Sequence, residues 1–250
     1  MHFIPMHYPL TFELFGQQLH VHLLMEILSY TLGYRLYVYL RRRTQDAISS
    51  EGRMYVFIAA AFGAFWGSHL LGIVERPLRW DMLTFTYFGS NKTIVGGLLG
   101  GLIGVETMKY FLKIRHSSGD LMTYPLLLGL VLGRLGCHFE GLDDGTFGLP
   151  TTLPWGVDFG DGVRRHPVNL YEILYLVVVG LGLFFTEKKR QLPDGMRFAL
   201  FLSAYLLYRF GMEYLKPAYF YHPPGFTAIQ MVCAAGLLYY TKKFADYWKS

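Results

Sequence analysis

Seven apolar stretches, each close to the length of a membrane crossing, constrain this chain more than any other feature: 19–40, 54–74, 93–114, 121–137, 168–186, 197–215 and 226–243. A hydrocarbon core of about 30 Å takes roughly 20 apolar residues in helical form. No water reaches that core, so each segment must pair its own backbone polar groups, which a helix does. The expected fold class is therefore an all-α integral membrane protein, a single polytopic domain over 1–250 with about seven transmembrane helices. The one long connection, 138–167, is rich in turn residues and aromatics and is expected to form an ordered outer-face headgroup or lid region. The first stretch ends at Arg41-Arg42-Arg43 and is too long for the apolar part of a cleaved signal, so it reads as a retained span. With 52% apolar and only 16% charged residues, the composition excludes disorder and a disulfide scaffold.

The chain carries 23 basic and 18 acidic residues, a formal charge of +5. Such an excess can serve nucleic acid or membrane topology, and its placement decides between them. If the N-terminus lies outside, the inner segments hold thirteen basic residues: Arg41, Arg42, Arg43, Arg53, Lys113, Arg115, Lys188, Lys189, Arg190, Arg197, Lys242, Lys243 and Lys249. The outer segments hold six: Arg76, Arg79, Lys92, Arg164, Arg165 and Lys216. Lysine and arginine favour the cytoplasmic side, so the N-terminus is expected outside and the C-terminus inside. Nucleic acid is not an expected partner. Cys137 and Cys233 show no metal or redox spacing and read as packing residues, and no cofactor or metal is expected. Asp143-Asp144 and Asp158 with Asp161 match no defined calcium loop.

Ionisable groups within spans are costly and mark function by default. In this topology His20, His22 and Glu26 fall in the outer half of the first span, and His69 near the outer end of the second. Arg134, Arg209 and Glu213 sit near outer ends, while His166 and Glu172 flank the start of the fifth span. Arginine stays charged in any environment, and its planar fork matches phosphate oxygens, so a lipid phosphate is a suitable ligand for Arg134 and Arg209. Arg209 and Glu213, four residues apart, can pair on one helix face. Arg35, Glu106 and Lys109 lie in the inner half and read as structural. Gly96, Gly100 and Gly104, with Gly97 and Gly101, form overlapping small-residue registers. These suit close helix packing or close approach of a headgroup.

Several strings, in order, resemble the prolipoprotein diacylglyceryl transferase family. Gly133-Arg134-Leu135-Gly136 is similar to the start of its Gly-Arg-x-Gly-Asn-Phe-x-Asn-Gly-Glu signature. His166-Pro167-Val168-Asn169-Leu170-Tyr171-Glu172 resembles its His-Pro-x-Gln-Leu-Tyr-Glu, and Arg209-Phe210-Gly211-Met212-Glu213-Tyr214-Leu215-Lys216 its Arg-Phe-x-x-Glu-Phe-x-Arg. Gly96-Gly97 resembles part of a His-Gly-Gly-Leu-x-Gly segment, and Gln230 matches a glutamine in the last span.

The resemblance implies a phospholipid-dependent transferase of the bacterial cytoplasmic (inner) membrane. It would move a diacylglyceryl group from phosphatidylglycerol to an acceptor at the outer leaflet and release glycerol phosphate. The acceptor is either the cysteine of a lipoprotein precursor, as in the family, or another molecule. A non-catalytic phospholipid-binding or lipid-transport protein is the competing class. The candidate catalytic set is His166, His22, Glu172 and Glu213, with His166 or His22 as the base and the two glutamates orienting the arginines. Arg134 and Arg209 would bind the substrate phosphate, and Gly96, Gly97, His69 and Gln230 would contact substrate. The chain departs from the pattern at five positions: Val95 replaces the histidine before Gly-Gly, Cys137 an asparagine, Leu142 a glutamate, His22 a tyrosine and Lys216 an arginine.

Overall fold

Each apolar stretch folds into one long helix. The computed structural model describes residues 8–44, 46–75, 89 and 91–249, so Arg76 and Arg79, counted above, lie outside the described residues. Among the described residues the long helices are α1 (Val21–Arg43), α2 (Ser50–Ile73), α3 (Ile94–Phe111), α4 (Thr123–Glu140), α5 (Val168–Lys189), α6 (Met196–Met212) and α7 (Ala228–Lys249). Four of the seven segments are long and apolar enough to cross a membrane: α2, α3, α5, and Asp120–Glu140, which contains α4. That number is smaller than the seven spans expected. Helix α6 has 17 residues, α1 carries His22, Glu26 and Arg35, and α7 carries Gln230, Lys242 and Lys243, which lowers their apolar character.

Two boundaries differ from expectation for reasons visible in the backbone. His20, expected inside the first span, instead ends strand β2 (Gln17–His20), which pairs antiparallel with β1 (Thr11–Leu14). The two-residue turn, Phe15 at φ 52° and Gly16 at φ 76°, has the positive dihedrals of a tight hairpin. At the other boundary, α4 continues to Glu140, because the reversal comes only at Gly141, whose φ of 73° suits glycine. His138 and Glu140 are thus helical, and the long connection begins at Gly141. It contains a second small hairpin, β3 (Val157–Asp158) with β4 (Arg164–Arg165).

The chain forms two compact units. The first comprises the described parts of Met1–Thr44, Leu121–Leu192 and Tyr214–Pro217. Here α4 packs against both α1 and α5. Ser29 Oγ donates to the Gly129 carbonyl at 3.0 Å, and Tyr124 Oη donates to Glu187 Oε2 at 2.8 Å. The N-terminal hairpin is fastened to the end of α4 by the Leu10 N–H on the Phe139 carbonyl, 2.9 Å.

The second unit comprises the described parts of Gln45–Asp120, Pro193–Glu213 and Ala218–Ser250. Its most extensive contact joins α2 to α3 through glycine on both sides. A Cβ at Gly63 would land on the Gly100 carbonyl, one at Gly67 on the Gly96 carbonyl, and one at Gly104 on the Ala59 carbonyl. Without a hydrophobic drive between helices in lipid, such backbone approach gains dispersion contact that larger residues forbid. Phe201, Leu202, Tyr205 and Leu206 form the inaccessible face of α6, and Ile229 and Tyr240 of α7 are equally buried. The α6 N-terminus has a glycine cap, so Asp120 serves instead: its carboxylate accepts from Gly195 N at 2.6 Å and Phe198 N at 2.9 Å. Arg53 makes a bidentate bridge to Asp46 (2.7 and 2.8 Å) and donates to the Ser118 carbonyl at 3.0 Å.

The glycine contacts make a graded prediction. Gly100→Val overpacks the α2–α3 seam and should cost about 1–3 kcal/mol or more, read as a lower Tm in detergent. Gly97→Ala should leave Tm unchanged, because its new Cβ would meet only ordinary contacts at 3.8 Å.

Candidate functional site

In the first unit the Gly-Arg string lies on the last turns of α4. This puts Arg134 and Cys137, one turn apart, on the same side. Arg134 is buried, and its Nε lies 2.9 Å from Oε1 of Glu172, which is also buried, on α5. Helix packing of α4 on α5 therefore joins two residues that stand 38 positions apart, and Nη1 of the same guanidinium lies 3.9 Å from Cys137 Sγ. Around this pair, α1 contributes His22, whose ring packs against Gly136; a Cβ there would come within 2.9 Å of it. Glu140 faces both hairpin and helix: its Oε1 is 2.8 Å from His20 Nδ1, and its Oε2 is 4.0 Å from His22 Nδ1. An open cleft of about 280 Å³ runs past Gln18, Leu19, His20, His22, Glu26 and Glu140. Asp144, in the turn after α4, accepts from Thr146 Oγ1, which is 3.2 Å from Asn169 Oδ1.

His166 lies just before α5. Its Nδ1 is 3.3 Å from the Tyr171 hydroxyl, which accepts from Trp155 Nε1 at 2.7 Å. The same stretch is tied down by His166 N on the Leu149 carbonyl (3.0 Å) and Leu149 N on the Leu215 carbonyl (2.8 Å). Asp158 and Asp161, beside the β3–β4 hairpin, are engaged within turns. Asp158 Oδ1 accepts from Gly160 and Gly162 N–H, and Asp161 Oδ1 accepts from Val163 N and from Arg165 at 2.7 Å. The Arg165 hydrogen bond holds the Asp161 carboxyl below the usual carboxylate range.

In the second unit Arg209 Nη2 lies 2.7 Å from Glu213 Oε1, and both side chains are buried. Glu213 Oε2 also lies 3.4 Å from Thr227 Oγ1. Gln230 is fully buried and engaged locally: it accepts from Thr227 N at 3.0 Å, gives its own N–H to Thr227 Oγ1, and donates Nε2–H to the Phe210 carbonyl. Thr227 and Gln230 thus form a capping box that starts α7. Gly96 is similarly engaged, as one of the α2–α3 contact glycines, whereas Gly97 meets nothing closer than 3.8 Å. The His69 ring packs on Phe65 with centroids 4.5 Å apart. Val95 is completely buried and offers no proton-transfer group.

Glu140 joins the site only through the fold, as does the meeting of Cys137 and Asp144 with His22. Glu140 lies within the quoted signature string, three residues after Cys137, and that helical spacing was the available signal. Cys233, in contrast, is the packing residue it was expected to be.

The fold and these pairs define a helical membrane protein with arginine–carboxylate ion pairs buried in its helices. The sequence profile of the prolipoprotein diacylglyceryl transferases matches residues 9–241, and the chain belongs to that family. Among its relatives, the phosphatidylglycerol–prolipoprotein diacylglyceryl transferase of Geobacter sulfurreducens is 29% identical over 76% of each chain. That of Glaesserella parasuis is 28% identical over 92% of this chain and 86% of its own. That of Nitratidesulfovibrio vulgaris is 30% identical over 83% and 78%.

Two predictions follow from the charges. Removing one partner of a buried ion pair leaves the other uncompensated at a cost of about 3–5 kcal/mol. Glu172→Ala should lower Tm sharply, while a double Arg134→Met/Glu172→Met variant should lose less than the sum of the single changes. For the loop, a depressed carboxyl contributes above its ordinary pKa and is lost as pH falls through the depressed value. Protection of the β3–β4 hairpin amides, read as the exchange rate relative to the intrinsic rate at the same pH, should therefore fall as the pH is taken below the usual carboxylate range, and Asp161→Asn should remove that dependence.

Proposed function

We propose that this chain transfers a diacylglyceryl group from phosphatidylglycerol to a cysteine thiol of a lipoprotein precursor at the outer face of the bacterial cytoplasmic membrane. The names of its relatives support both substrates. The observation that carries the reading is the buried Arg134, aligned by Glu172 within the family's Gly-Arg string. In the reaction the thiolate sulfur attacks the glyceryl carbon that bears the phosphate. A carbon–sulfur bond forms, the carbon–oxygen bond breaks, and glycerol phosphate leaves with the electron pair. Negative charge grows on the leaving phosphate ester, so a guanidinium held in place before the reaction stabilises the transition state without reorganisation. Arg134 and Arg209 each serve that charge, and Glu172 and Glu213 fix their planes.

The thiol proton needs a base, and Val95 cannot supply one. His166 is the proposed base. Its imidazole is oriented through the Tyr171 hydroxyl, which Trp155 holds in turn, and imidazole is the side chain most often used for general-base proton transfer. Gly97 and His69 remain proposed substrate contacts, while Gly96 and Gln230 support the helices from which such contacts project. The chain would act as a single membrane domain with seven crossings, N-terminus outside and C-terminus inside, with the loop that ends at Pro167 covering the headgroup. The arrangement of basic residues supports that orientation.

One observation favours a second reading: the fully buried Val95, in place of a family histidine, suits a phospholipid-binding protein without turnover. Supplying vesicles of headgroup-labelled phosphatidylglycerol and a cysteine-containing lipoprotein signal peptide distinguishes the two. Transfer releases labelled glycerol phosphate; saturable binding with no release contradicts it. Alanine at either arginine would strand its glutamate, so lysine is the informative replacement. Arg134→Lys and Arg209→Lys should keep the fold and lower release by about 10²-fold or more.

A further inference from the structure

We propose that His22, Cys137 and Asp144 form a binding site for a divalent transition metal of the zinc type. A ring nitrogen of His22, Cys137 Sγ and a carboxylate oxygen of Asp144 all lie within 4.8 Å of one another. They arrive from three places: the first turn of α1, the last turn of α4 and the turn that follows it. Imidazole, thiolate and carboxylate are the three side-chain ligands zinc uses, and the thiolate and imidazole disfavour magnesium and calcium. Donors around a tetrahedral zinc stand about 3.3–3.6 Å apart, so side-chain movements of about 1 Å close this trio onto an ion. Three protein ligands leave a fourth position open to water or a substrate oxygen.

Glu140 Oε2 lies 4.0 Å from His22 Nδ1, so a side-chain movement of about 1 Å makes the hydrogen bond by which a carboxylate orients an imidazole ligand. Asp144 is held by Thr146, which itself reaches Asn169. The charges also close. A divalent ion with one thiolate and one carboxylate is neutral, and it would lie beside the Arg134–Glu172 pair, which is neutral too. Two of the three ligands are positions where this chain departs from the family motif, His22 for tyrosine and Cys137 for asparagine. The two departures, far apart in sequence, meet at one point and set an imidazole and a thiol beside the carboxylate of Asp144.

The test uses the full-length chain in detergent, purified without a histidine tag, dialysed against zinc and then exchanged with cobalt(II). A single equivalent of zinc should be retained, and the cobalt form should show thiolate-to-cobalt charge transfer with the intense d–d bands of four-coordination. Cys137→Asn and His22→Tyr, which restore the residues of the family motif, should each abolish that spectrum. Cys233→Ala should keep it, and Glu140→Gln should weaken zinc binding about 10–100-fold. Size-exclusion profiles and helical circular dichroism check that the variants fold, and Cys137→Ser provides a nearly isosteric second variant. Zinc retention unchanged in the Cys137→Asn/His22→Tyr double variant, or cobalt bound without a thiolate signature, overturns the proposal. The readout is metal binding rather than turnover, so its failure is separate from failure of the transferase reading.

Discussion

The ion pair between Arg134 and Glu172 is the constraint around which the first unit is arranged. A guanidinium cannot lose its proton in a protein, so within a helix of this kind it must be compensated by a charge or reach water. Glu172 supplies the charge, and it does so only if α5 lies against α4 in one register. That register also brings Asn169 and Thr146 to Asp144. Packing of α1 on the other side of α4 depends on Gly136, which leaves room for the His22 ring. The pair thus couples the helix arrangement to the chemistry, because the guanidinium that must be neutralised is also the group suited to a phosphate.

The second unit repeats the device with different means. Arg209 and Glu213 are four residues apart, so the pair forms within one segment and needs no partner helix. Its helix is anchored instead by Asp120 at the start and by the Gln230–Phe210 hydrogen bond near the end. Rigid placement at both ends of α6 matters for a residue proposed to meet charge only as it develops, since a loosely held guanidinium would lose its advantage over water.

The helices were legible because apolar runs of this length have few alternatives, and the glycine registers of α3 pointed to close packing. The partner glycines on α2, Gly63 and Gly67, were legible only by looking for the same spacing elsewhere. The N-terminal hairpin is hard to read from sequence because Leu19 and His20 join smoothly onto the apolar run of α1, although Phe15-Gly16 carries a turn signal. Gln230 carries two signals at once: its match to a family glutamine points to substrate contact, and the Thr-x-x-Gln spacing with Thr227 spells the helix cap that the structure shows. His22, Cys137 and Asp144 could not be associated from sequence, since their proximity arises from packing of α1 on α4 across more than a hundred residues.

The departures from the family pattern gain physical content in this arrangement. Val95 is a buried apolar residue, so proton transfer has to come from a different element. The proposed chemistry depends on the guanidinium groups being the phosphate ligands, and solid-state NMR measures that contact directly. With nitrogen-15 arginine in the protein and phosphorus in phosphatidylglycerol bilayers, guanidinium nitrogens should show dipolar dephasing by phosphorus that weakens in Arg134→Lys and again in Arg209→Lys. Dephasing that is absent, or unchanged in both variants, would contradict it.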